Sequence, residues 1–205
     1  MKFILALACL ILQFPILAQN GNSIELDTQL KGKHPLASGK VSFEITGDAS
    51  GTATLYFDRN GWREVLIKEI TIVRFGMTST EKTIELVDGD FYYQVNLDSK
   101  KGSRAKQKAW SQLMGYKDRA YVINAIMEEQ GAVRSSDTTH LEYPVTVWEF
   151  SKGSTTSIWS WQGITLRQAK SLPGLSYEMV SVKLEENCEI PEEVFALPED
   201  IAWED

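Results

Sequence analysis

The chain has 205 residues, 43% hydrophobic and 24% charged, with 21 basic against 28 acidic side chains, two His and two Cys. That length and composition suit one folded domain and exclude a disordered chain, a disulfide scaffold and a collagen-like repeat. A net charge of −7 argues against a general nucleic-acid binder, because neutralising phosphates needs a basic surface, and so few His and Cys argue against a multi-ligand zinc site.

The first residues read as an address. Met1-Lys2 is a minimal basic start, Phe3 to Leu17 is apolar apart from Gln13 and Pro15, and Gln19 to Ser23 is wholly polar. This is the pattern of a secretory signal peptide over residues 1–18, with cleavage after Ala18. The run is short for a membrane span of about 20 apolar residues. Ala6-Leu7-Ala8-Cys9 loosely resembles a lipobox, but the apolar stretch before Cys9 is short and mostly apolar residues follow it. The expectation is a periplasmic or secreted protein whose single domain spans residues 19–205 and retains one thiol, Cys188.

From Gly39 onward apolar residues recur with period two, the mark of antiparallel strands with one buried face. Val41, Phe43 and Ile45 form one such row, and Ala53, Leu55 and Phe57 a second. Asn60-Gly61 supplies a turn into Trp62 to Phe75, which is rich in Val, Ile and Thr. Lys82 to Val87 follows, and Asp88-Gly89-Asp90 turns it into Phe91 to Leu97, where Phe91, Tyr93, Val95 and Leu97 make a continuous apolar row. Asp98 to Ser103 reads as a loop.

Between Lys106 and Gln130 the spacing becomes helical. Trp110, Leu113 and Met114 stand at i, i+3 and i+4, as do Ile123, Ile126 and Met127, with Val122 on the same face one turn before Ile126, Gly115 dividing two helices and Gly131 ending the second. Strands return at Tyr143 to Phe150, Ser157 to Trp161, Ile164 to Gln168 and Tyr177 to Leu184. About nine strands with one helical insertion predict a mostly β (α+β) fold. A β-sandwich and a curved, partly closed barrel are both open to such a sheet. The two amphipathic helices favour the barrel, because its concave face offers them an apolar partner.

Catalytic motifs are missing. No Gly-x-Ser-x-Gly occurs, and Gly32 is too far from Gly39-Lys40 for a phosphate loop. His34 and His140 stand apart and read as solvated or structurally hydrogen-bonded. Carboxylates are abundant, so an envelope hydrolase would need two of them converging in a cleft. Lys100, Lys101, Arg104, Lys106 and Lys108 make a basic run, and Glu185 to Asp205 holds nine acids and no base. Each reads first as solvated surface; second, the basic run reads as a docking site for an acidic partner or an anionic membrane, and the acidic end as a partner-facing tail.

The order of features resembles the periplasmic lipoprotein-carrier (LolA-like) superfamily. The resemblance lies in the N-terminal signal followed by Gly39-Lys40-Val41-Ser42-Phe43-Glu44-Ile45, and in Phe91 to Asp98 after Asp88-Gly89-Asp90. It continues in Trp159 to Leu166, Ile190-Pro191 and Phe195-Ala196-Leu197-Pro198. The Trp-rich hairpin and the Phe-x-Leu-Pro ending are closer to an uncharacterised branch than to the dedicated carriers, whose functional arginine is carried over onto no position here. The resemblance implies an incomplete antiparallel barrel, helices over an apolar cavity that receives acyl chains, and a periplasmic, non-enzymatic role.

Residue chemistry and resemblance together predict a binding module for a hydrophobic small molecule, lipid or lipidated chain, with no catalytic residue, metal or cofactor. The expected lining is Phe43, Phe57, Phe91, Tyr93 and Val95 from the strands, with Leu113, Met114, Ile126 and Met127 from the helices. An envelope structural or interaction protein with a filled core is the competing expectation.

Overall fold

The computed structural model describes residues 33–74, 76–106 and 119–204. In chain order these form β1 (Gly39–Gly47), β2 (Ala49–Asp58), β3 (Arg63–Arg74), β4 (Met77–Asp88), β5 (Phe91–Asn96) and β6 (Lys101–Lys106). After the helix α1 (Arg119–Glu129) come β7 (Ala132–His140), β8 (Tyr143–Phe150), β9 (Thr155–Trp161), β10 (Ile164–Leu172), β11 (Leu175–Glu186) and β12 (Ala202–Glu204). Among the described residues the twelve strands make one open sheet in the order β12-β6-β5-β4-β3-β2-β1-β11-β10-β9-β8-β7. Every pairing is antiparallel except that of β12 on β6.

The sheet is curled. Tyr92 on β5 and Lys170 on β10 line one cavity although five strands separate theirs in the sheet order. The Arg74 guanidinium, at the end of β3, lies against Gly174 in the turn between β10 and β11. At the other end His140 Nε2 lies 2.9 Å from both the carbonyl oxygen and Oγ of Ser181 on β11, passing β8, β9 and β10. Register shifts at Ser42/Phe43, Thr165/Arg167 and Ala169/Lys170 mark where strands bend, since an extra residue on one strand kinks it and raises its twist.

Both faces of the curled sheet carry apolar side chains. On the concave face Val41, Phe43, Ile45, Ala53, Phe57, Ile70, Leu166 and Met179 pack together. On the convex face Val65, Ile84, Leu86 and Val95 form a second core. The β3 run is apolar on consecutive residues for this reason: Val65 and Ile67 face one way, Leu66 and Ile70 the other, as a strand buried on both sides requires. A third, smaller cluster joins Ala132 and Trp148 to Met127 of α1.

The acidic C-terminal stretch is more than a solvated edge. Ile190, Val194, Phe195, Leu197 and Ile201 cover the convex core. Arg63 anchors this segment by donating to both carboxylate oxygens of Glu192, at 2.7 Å for Nη2 to Oε2, and to Asp58 at 3.0 Å from Nε. Its guanidinium also lies 4.0 Å from the centre of the Phe195 ring. Lysine keeps the charge but loses the planar fork and the stacking. Arg63→Lys is therefore expected to lower stability by about 2 kcal/mol. Urea unfolding, together with faster proteolysis confined to residues 188–204, checks this; a wild-type digestion pattern would refute it.

Candidate functional site

Strand pairing decides which predicted site residues share a face. Gly39 pairs with Phe57 and Phe43 with Ala53, so Phe43 and Phe57 lie together on the concave face, fully packed in its core. Val95 pairs with Ile84 and Tyr93 with Leu86, which places Phe91, Tyr93 and Val95 on the opposite, convex face. There Val95 is buried, Tyr93 meets the Trp203 ring edge-on at 5.9 Å, and Phe91 is 44% exposed. Met127 packs against Ala132 and Trp148. Leu113, Met114 and the Ile126 side chain lie outside the described residues. The nine are thus not brought to one site. The helical cover also differs: the described part of the insertion is one helix of 11 residues, held by Met127 and Ile123.

The concave face holds a cavity of about 150 Å³ built from other residues. Its apolar wall is Ile45, Leu66, Ile70 and Met179. Facing pairs explain why these meet: Ile45 and Ile70 both lie opposite Gly51, and Ile45 lies opposite Met179. Its polar groups come from both sides of the curl. Lys68 and Glu85 stand on β3 and β4 and are paired as ions, Lys68 being only 6% exposed. Tyr92 adds a phenol from β5, while Gln168, Lys170 and Tyr177 come from β10 and β11. A volume of this size holds a benzene-sized molecule or a few waters, and not a whole long acyl chain.

A second buried polar cluster lies over Phe57, where β3 begins. Lys33 Nζ donates to Glu64 Oε2 at 2.7 Å, and the His34 ring nitrogen Nε2 bonds Glu64 Oε1. His34 is 3% exposed and meets the Phe57 ring edge-on at 5.0 Å. Burial alone would raise the Glu64 pKa. The Lys33 and His34 charges, and hydrogen bonds from both, outweigh it and hold the carboxyl at about 2. This is an ion-paired clasp tying the segment before β1 to β3.

The cavity is not visible along the apolar rows of the sequence. In β5 that row runs through the odd-numbered residues, whereas the even-numbered Tyr92 faces the cavity. A signal is nonetheless present. Lys68 interrupts the apolar run from Val65 to Val73, and Glu85 sits between Ile84 and Leu86, an opposite-charge pair placed where neighbouring positions are buried.

Among the described residues no cluster of three His, Cys, Asp or Glu side chains could hold a metal ion, and no helix is long and apolar enough to cross a membrane. No protein-family model and no curated protein matches the chain. The chain is similar to an uncharacterized conserved protein from Thermus thermophilus, known from its crystal structure, at 7% identity and a TM-score of 0.47, over 82% of this chain and 90% of that one.

Proposed function

We propose that this protein is a non-enzymatic binding module that holds a hydrophobic or amphiphilic molecule, such as the end of a lipid or lipidated chain, in the concave face of an incomplete barrel. The observation that carries this reading is the 150 Å³ cavity between facing walls of one curled sheet, with Ile45, Leu66, Ile70 and Met179 on its apolar side. Apolar burial supplies the affinity, at roughly 25 cal/mol per Å² of surface removed from water. The signal-like pattern of residues 1–18 supports a periplasmic or secreted setting for this role, in lipid or lipoprotein traffic of the envelope.

A second reading draws on the same cavity, because its size leaves most of the concave core filled. On that reading the chain is an interaction protein of the envelope, docking on a protein or membrane partner through the Lys100–Lys108 run or its acidic end. Native mass spectrometry after gentle purification separates the two. Adducts of lipid mass, and uptake of a fluorescent fatty-acid probe, are expected. An empty protein that refuses the probe overturns the binding reading and leaves the second.

A further inference from the structure

The acidic end of the chain attaches along the outer edge of β6, and the attachment is light. β12 pairs in parallel with Lys101, Gly102 and Ser103, and all three of its residues are exposed. Two ion pairs accompany it, Lys100 with Asp200 and Lys101 with Glu204, each between exposed side chains. Pairs so open to water contribute little. What is specific is a notch. Gly102 is buried, and a methyl group added there would stand 2.9 Å from the Trp203 ring and 3.0 Å from Ile201 Cγ2. Ile201 and Trp203 therefore enter side by side over a strand residue that has no side chain, and Trp203 goes on to meet Tyr93.

The edge offers more than β12 uses. β6 runs on to Lys106, and among the described residues no strand pairs with Arg104 to Lys106 on that side. Arg104 lies opposite Tyr93 and Lys106 opposite Phe91, on the face where Gly102 lies opposite Val95. Phe91 is 44% exposed, and Lys106 Nζ lies 5.7 Å from its ring centre. A parallel strand longer than β12 brings its next residues opposite Arg104 and Lys106, where carboxylates complement the charge.

We propose that the β6 edge is a strand-accepting docking site for an extended acidic segment of a partner protein, and that the chain's own end is its built-in competitor. The segment carries an aliphatic residue in the place of Ile201 and an aromatic one in the place of Trp203. Main-chain hydrogen bonds supply affinity, while the notch and the cations supply specificity. A second copy is not the occupant, because its end matches the resident one, which competes at an effective concentration on the order of millimolar. A partner prevails by pairing along Arg104 to Lys106 as well. This rests on the docking reading of the Lys100–Lys108 run and narrows it to one edge and one partner chemistry; it does not depend on the cavity.

Fluorescence anisotropy on the full-length chain tests this, with the labelled peptide Asp-Ile-Ala-Trp-Glu-Asp-Val-Glu, whose first six residues copy Asp200 to Asp205. Trp203→Ala loosens the competitor and is expected to bind the peptide about tenfold more tightly than wild type. Adding Arg104→Glu to that variant is expected to weaken binding about tenfold, and a scrambled peptide of the same composition is expected not to bind. Asp200→Asn/Glu204→Gln loosens the end a second way if Trp203→Ala fails to fold. Equal affinity of wild type and both loosened variants overturns the competitor role, and equal binding of the scrambled peptide, or indifference to Arg104→Glu, overturns the edge site. Wild-type dimers at micromolar concentration that Trp203→Ala abolishes assign the edge to a second copy and overturn the choice of partner. Should the peptide be refused while phosphatidylglycerol vesicles are bound, the edge site falls and the docking reading stands. If the vesicles are refused too, the basic run loses its docking role as well.

Discussion

Glu64→Gln is expected to destabilise the protein by about 3 kcal/mol at pH 7, and that loss should vanish in acid. The carboxylate binds the Lys33 ammonium and the His34 ring together, in a place where all three side chains are largely removed from water. Glutamine preserves the shape and removes the charge that balances them, and breaking a buried pair from one side is costly. The pH dependence follows from the direction of the shift. The Glu64 pKa falls from 4.5 to about 2 in the folded protein, so the folded state binds fewer protons there than the unfolded chain. Its contribution is complete above about pH 4.5, shrinks as the pH falls, and is lost below about 2. Urea unfolding of both proteins from pH 7 to pH 2 measures the difference. A gap that stays constant across that range would refute the role given to this carboxylate.

The nine strands expected from the sequence are all present, and the reason is visible in their residues. Val41, Phe43 and Ile45 must face a core while Ser42 and Glu44 do not, so burial writes its period into the chain. The three unforeseen strands lack that imprint. β6 reads Lys-Gly-Ser-Arg-Ala-Lys, β12 is three residues of an acidic tail, and β7 is exposed from Val133 to Thr139. They are held chiefly by backbone pairing at or near the sheet edges, which polar side chains do not hinder and which charge protects from unwanted pairing.

The candidate site was less legible because it depends on long-range register. Nothing within β5 tells whether Phe91, Tyr93 and Val95 face the same way as Phe43; pairing through β4, β3 and β2 decides it, and the answer is the opposite face. Covering that convex face falls to Phe195 and Ile201 from the far end of the chain. His34 shows the same limit. Its sequence leaves solvation and a structural hydrogen bond both open, and the second holds: Glu64, 30 residues away, and the Phe57 ring enclose it. What the sequence did carry was a local conflict, Lys68 and Glu85 in apolar surroundings, and such conflicts mark functional or strained places.

Gly51→Ala is expected to lower stability by roughly 4 kcal/mol and to disturb the cavity, the two effects sharing one cause. Gly51 lies in β2 between Ile45 of β1 and Ile70 of β3, both of which line the cavity. Its φ of +150° is a conformation that side-chain-bearing residues rarely adopt. A methyl group placed there would stand 2.0 Å from the Glu69 carbonyl oxygen and 3.1 Å from the Ile70 Cα. Both obstacles are backbone, so no side chain can rotate away. Relief requires β2 and β3 to separate at the point where the sheet curls around the cavity, moving Ile70 away from Ile45. Urea unfolding and uptake of the fluorescent fatty-acid probe by the same variant test this coupling. A stability within about 1 kcal/mol of wild type would show that the strand adapts locally. A destabilised variant with unchanged probe uptake would separate the curl of these strands from the site.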